Sequence, residues 1–443
     1  MKNVMLRDHA KEIFQAGLRA VDPVDAIKKF VRLEGETLHV ASSSYVLSDF
    51  EHLYVVGGGK AGAAMAGALE DILGERITAG WVNVKYEHLA PTKIVTVHEA
   101  GHPVPDEAGV AGTRKLIEMI EPCTEKDLVI CVISGGGSAL LPAPVAGISL
   151  KEKQAVTTSL LRCGATIHEM NTIRKHISAL KGGQLARIVS PASLISLMIS
   201  DVVGDPLDTI ASGPSVPDEH SFTECLAILD TYGIRSEIPA SVLDRLMKGE
   251  AGEIADTPKP GDPLFEKTQN VIVAGNALAA QAAAVKAEEL GYRTLILATG
   301  IEGETREVAK VHAAILREIC RSGNPLAPPA CLISGGETTV TIQGDGLGGR
   351  NQEFVLAAVP EIAGLSNVAV LSAGTDGTDG PTDAAGALAD GRTLARADAL
   401  QLDPTIFLQK NDSYHFFDKL EDLFKTGPTN TNVMDLRILL AGD

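Results

Sequence analysis

Leu53-Tyr54-Val55-Val56 runs straight into Gly57-Gly58-Gly59-Lys60-Ala61-Gly62 and then into an alanine-rich stretch. A short apolar run, a glycine turn and a helix-forming segment together describe a buried strand feeding a helix. The pattern returns at 128–133 before Ser134-Gly135-Gly136-Gly137-Ser138, and at 271–274 before Gly275-Asn276. It recurs at 331–333 before Ser334-Gly335-Gly336 and at 368–371 before Ser372-Ala373-Gly374. Such alternation predicts an α/β fold with largely parallel sheets carrying helices on both faces. In that architecture ligands bind at the carboxyl ends of strands, where these glycines lie.

At 443 residues the chain is too long for one ordinary core, so two domains are expected. The stretch 248–263, KGEAGEIADTPKPGDP, is rich in Gly, Pro and charge and reads as the linker. The division is therefore placed between a Rossmann-like domain over 1–255 and a smaller α/β domain over 256–443, with the C-terminal segment free to pair back onto either. Thr338–Gly346 alternates and reads as a strand and turn, and 170–183 as one helix ended by Gly182-Gly183.

With 39 basic and 57 acidic residues the formal charge is −18, which argues against nucleic acid or an anionic membrane as partner. A small anionic substrate is compatible, since local cations and backbone amides can hold one. The six cysteines show no CxxC pair or metal spacing, and the charged start is neither signal peptide nor membrane anchor. These features predict a reducing, cytoplasmic setting; a homo-oligomer is compatible with them.

Gly57 to Gly62 matches GxGxxG, but the acidic residue expected at the end of the next strand is not clear, since Lys85 precedes Glu87. Lys60 inside the loop suits phosphoryl transfer better than dinucleotide docking. The Ser134–Ser138 loop offers amides and two hydroxyls without bulk. Arg174, Ser178 and Lys181 would share a helix face, as a stripe for an anion or as solvated surface. Asp201 follows a strand end, as metal-holding aspartates do. Arg350 follows the glycine loop 344–349 and can fold over a bound anion. Asp376 lies in TDGTDGPTD, which fails the EF-hand pattern at Ala387 and leaves a magnesium, hydroxyl-binding or structural role.

Taken in order, GGGKAGAAMA, HPVPDEAG, ISGGGSALLPAP, NTIRKHISALKGGQLA, ISDVVGDP, IASGP, SGGETTVTI, GDGLGGRNQE, SAGTDGTDGPTDAAGA and NDSYHFF resemble the glycerate 2-kinase family with a C-terminal MOFRL domain. That family also carries the name hydroxypyruvate reductase. The resemblance implies ATP- and Mg2+-dependent phosphorylation of D-glycerate at its 2-hydroxyl, in a cleft between two domains, with Lys60 and Arg350 catalytic. On this reading Asp376 orients the hydroxyl. Gly58, Gly59, Ser134, Gly135, Gly136, Gly137, Ser138, Asn276, Gly335, Gly336 and Asn432 bind nucleotide or substrate, and Asp201 and Glu337 hold the metal. The chain departs from the family at Asn430 and Met434, where glycine and asparagine are usual. The rival readings are an NAD(P)H-dependent hydroxypyruvate reductase and a non-catalytic sensor of phosphorylated ligands.

Overall fold

The computed structural model describes residues 2–443, with side chains from Met5 onward. By contacts the chain forms two units, one of Ala26–Ser200 and Asp205–Val273, the other of Met1–Asp25, Asp201–Gly204 and Ala274–Asp443. The expected 255/256 partition runs elsewhere. The predicted linker lies inside the first unit, where it is bonded in: His176 meets Asp256 at 2.9 Å, Thr257 donates to Asp218 at 3.0 Å, and the Asp218 amide donates to the Pro258 carbonyl at 2.8 Å. Glycine, proline and charge here mark a pinned surface loop.

The first unit holds a six-stranded sheet in the order Val95–Ala100, Ala79–Lys85, His52–Gly58, Asp127–Ile133, Ser193–Ile199, Thr268–Ala274. The pairings among its first five strands are all parallel. All seven residues of Asp127–Ile133 are buried, as a strand covered on both faces requires. The glycine exits sit at the carboxyl ends of the two central strands, and the helices Gly62–Leu73 and Gly137–Leu140 follow them.

The second unit's sheet runs Arg293–Ala298, Ala330–Gly336, Asp435–Ala441, Val368–Gly374, Gly386–Asp390, Leu423–Phe424. Only its first pair is parallel; the other four are antiparallel. The expectation of a largely parallel sheet fails here because no helix follows Val368–Gly374. The Gly-, Pro- and Asp-rich residues 375–385 cannot carry a crossover, so the chain turns back as an antiparallel neighbour. The terminal strand enters the middle of this sheet.

Two local expectations also give way. Residues 338–346 form no strand, because neighbouring groups take their backbone and hydroxyls: the Thr339 amide donates to the Gly303 carbonyl at 2.9 Å, and the Thr341 hydroxyl to Glu304 at 2.8 Å. The helix expected to reach Gly182 ends at His176. Beyond it the Ser178 hydroxyl accepts from the amides of Leu180 and Lys181, an alternative to the helical ladder. Ser178 and Lys181 are consequently buried, so the solvated-stripe reading does not hold. Among the described residues no helix is long and apolar enough to cross a membrane, and all six cysteines are free.

Candidate active site

In the first unit, Gly59 stands at φ +146, and a Cβ there would lie 2.2 Å from the Ser134 hydroxyl, so only glycine fits. That closeness lets the two glycine exits stitch together. The Lys60 amide donates to the Gly135 carbonyl at 2.9 Å, and the Ala61 amide to the Ser134 hydroxyl at 3.0 Å. The amides of Gly135 and Gly136 donate to no group among the described residues, which leaves a small anion-accepting concavity. Gly58 and Gly137 are buried in its wall, and the Ser138 hydroxyl lies 3.1 Å from that of Ser212.

The charge around this loop is positive. Lys60 is half-buried and has no carboxylate partner among the described residues. Burial, then Lys60 and Lys85, push the His102 imidazole down to about 4, and burial with the same two lysines also lowers His88. His102 is therefore neutral near pH 7, with its ring against Gly136. It was not singled out from sequence, although it opens the HPVPDEAG segment.

In the second unit, Arg350 is the first residue of the helix Arg350–Glu361, set there by the glycine loop before it. Its Nε donates to Asp435 at 2.8 Å and its Nη1 meets Glu337 at 2.8 Å. Burial disfavours the guanidinium charge, but Asp435 and Glu337 outweigh it and hold the group above its ordinary value. Asp435 is fully buried and also accepts from Asn351 at 2.8 Å and from buried Arg437 at 3.2 Å. Asp379 accepts the amides of Asn351 and Gln352 at 3.0 and 2.8 Å, capping the helix that carries Arg350. Burial pushes its carboxyl up to about 6, against those two amides.

Glu337 leaves the strand Ala330–Gly336 beside this arginine. Burial raises its carboxyl; Arg350 opposes the shift, while Asp435, Asp201 and Asp376 add to it. Those acids therefore share one electrostatic neighbourhood. Asp376 is half-buried and accepts the Thr378 amide at 3.0 Å; Asn432 accepts the Met434 amide at 3.0 Å. Asn430 takes the left-handed turn at φ +60, and Met434 does so at φ +69, where asparagine would be less strained.

Asn276, Gly335 and Gly336 are packed into the framework. Asn276 is buried, and its Nδ2 donates to the carbonyls of Val433 and Asp435 at 2.9 and 2.8 Å, which fixes the start of the terminal strand. Asp435 was not singled out from sequence and Asp379 entered it only as part of TDGTDGPTD, since each gains its meaning only from Arg350 and its helix. Among the described residues no three His, Cys, Asp or Glu side chains are set to hold a metal ion. One or two carboxylates with substrate phosphates suffice for magnesium, and Glu337 and Asp201 are of the right chemistry.

Two family models match the chain. One, described as a domain of unknown function (DUF4147), covers residues 9–247; the other, the MOFRL family, covers 330–435. A D-glycerate 2-kinase of Thermotoga maritima is 40% identical over 98% of this chain and 98% of its own length. A relative from Agrobacterium vitis with a provisional hydroxypyruvate reductase name is 43% identical over 88% of this chain and 87% of its own. The crystal structure of a glycerate kinase from Thermotoga maritima superposes with a TM-score of 0.89 at 39% identity, covering 99% of both chains.

Proposed function

Because this chain belongs to the glycerate kinase family, we propose that it transfers the terminal phosphoryl group of ATP to the 2-hydroxyl of D-glycerate, giving 2-phosphoglycerate and ADP. The observation that carries the reading is Arg350: a guanidinium at a helix start, behind a glycine loop, kept charged by buried Asp435. Such a group can offset charge gathering on a moving phosphoryl group.

In the reaction the 2-hydroxyl oxygen forms a bond to the γ-phosphorus while the bond to the β,γ-bridging oxygen breaks. The hydroxyl proton leaves to solvent or to Asp376, which we assign to orient that hydroxyl. Positioning and charge compensation supply most of the rate in such transfers, so no strong base is needed. The open amides of Gly135 and Gly136 with Lys60 suit nucleotide phosphate oxygens; Arg350 suits the transferring group. Asp201 and Glu337 would hold magnesium, which when bound neutralises triphosphate charge. Gly58 and Gly336 shape their loops through the backbone, Asn276 and Asn432 brace the 432–435 segment through their side chains, and a cytoplasmic setting fits the free cysteines.

Coupled ADP release with D-glycerate and ATP, with phosphorus NMR on the product, tests this. Arg350→Ala should lower turnover by about a thousandfold or more; a loss within about tenfold would remove Arg350 from the mechanism. The reductase reading is favoured by the GxGxxG turn alone in this chain. It predicts NADH oxidation with hydroxypyruvate and no ADP from glycerate.

A further inference from the structure

The first unit buries a second group of cations apart from the Lys60 loop. Lys153, on the helix Leu150–Cys163, is 6% exposed, and its Nζ has no hydrogen-bond partner. Lys181 is 2% exposed, and its Nζ reaches only the Ala211 carbonyl, at 3.3 Å. Arg174, half-buried on the helix Ile167–His176, makes no hydrogen bond or ion pair among the described residues. Burial, then the charge of Arg174, lowers Lys153 to about 7; burial, then Lys153 and Arg174, lowers Lys181 well below its ordinary value, and burial lowers Arg174.

Lys175 shows that the fold can supply counter-charge. It is equally buried, yet it meets Asp218 at 3.2 Å and Asp208 at 3.4 Å. The acids on the helices of Lys153 and Arg174 are engaged elsewhere: Glu152 and Glu169 close capping boxes on Ser149 and Thr166. Burying like charges without a partner costs several kcal/mol, a burden an incoming anion relieves.

The surroundings are built for an oxyanion. Ala211 and Ser212 stand at φ +50 and +63, a conformation that non-glycine residues hold only under constraint. It turns the Ala211 carbonyl to Lys181 and puts the Ser212 hydroxyl between Ser138 at 3.1 Å and Asn171 at 3.1 Å. A Cβ on Gly137 would lie 3.1 Å from that of Ala211, so this loop abuts the glycine exit with the open amides. An arriving anion of about two negative charges would restore the protons that burial takes from the two lysines and would also meet the Arg174 guanidinium.

We infer that Lys153, Arg174 and Lys181, with the hydroxyls of Ser138 and Ser212, form a phosphate-binding subsite beside the Ser134–Ser138 loop. It holds its phosphate through ammonium and guanidinium donors and leaves the chemical step to other residues. The inference stands on these side chains and not on the identity of the acceptor.

Calorimetric titration of the full chain with inorganic phosphate, and separately with ADP, tests it on the parent, Lys153→Met and Arg174→Gln. Lys153→Met should melt no lower than the parent, because it removes a buried polar Nζ that has no hydrogen-bond partner, yet bind at least one probe about tenfold more weakly. Arg174→Gln, on a half-exposed side chain, should weaken the same probe by a similar factor, and it decides alone if Lys153→Met does not fold. Weakening of both probes assigns the subsite to a free phosphate group, and weakening of ADP alone to the nucleotide's. Unchanged affinities in a folded variant, or a parent that binds neither probe, overturns the proposal. Glycerate-dependent ADP release on the same parent sample keeps a failure of the kinase reading separate.

Discussion

At Asp435 three donors meet one buried carboxylate: Arg350 Nε, Asn351 Nδ2 and Arg437 Nη2. Arg437 is itself fully buried, with its Nε and Nη1 unpartnered, so Asp435 is the counter-charge that makes its burial tolerable. Asp435→Asn keeps the shape and removes the charge. It should lower stability by about 3–5 kcal/mol, as loss of one partner from a buried pair does. Urea unfolding of the two proteins measures this; a loss under about 1 kcal/mol would mean that Glu337 carries the compensation. Arg350 was legible in the sequence because an arginine behind a glycine loop has few structural purposes. Asp435 was not, since it opens an ordinary apolar strand and its partner lies 85 residues away. A pairwise electrostatic role has no local signature.

The elements that read clearly are those whose pattern has one physical outcome. Strands such as Asp127–Ile133 and Val368–Gly374 are mostly apolar and buried throughout because both faces are covered. The alternating Thr338–Ile342 misled, because period two marks a strand only when an edge is there to pair with, and here residues 303–304 satisfy it instead. Where elements touch, one missing Cβ governs the fit. A Cβ on Gly335 would lie 1.6 Å from Asn276 Oδ1, and Asn276 clasps the start of the strand Asp435–Ala441. Gly335→Ala should therefore cost about 1–3 kcal/mol through overpacking. Its effect should couple with Asn276→Ala: in a double-mutant cycle the pair should be less damaging than the sum by about 0.5–3 kcal/mol. Strict additivity would show that the strand absorbs the methyl group without disturbing Asn276.

For the whole molecule, the sequence revealed that two sheets exist but not which segments complete them, because long-range pairing leaves no trace in composition. The N-terminal helix Lys2–Arg19 belongs with the C-terminal sheet. Leu6, Ala10, Ile13 and Phe14 are buried in one cluster with Ala280, Ala283, Leu436 and Ile438, and Arg7 pairs with Asp390 and Asp422. Gly17 permits this approach, since a Cβ there would meet the Ala279 carbonyl at 2.9 Å. Burying Leu6, Ile13 and Phe14 contributes roughly 1.5–3 kcal/mol each. Their total rivals the 5–15 kcal/mol net stability typical of a folded domain. Residues 274–443 expressed alone should therefore lack a cooperative thermal transition, whereas the same segment joined to residues 1–25 by a flexible linker should regain one. The Phe14→Ala form of the joined protein should lose about 3–5 kcal/mol. A cooperative melt of 274–443 alone, at the temperature of the joined form, would show that the helix decorates a core that is complete without it.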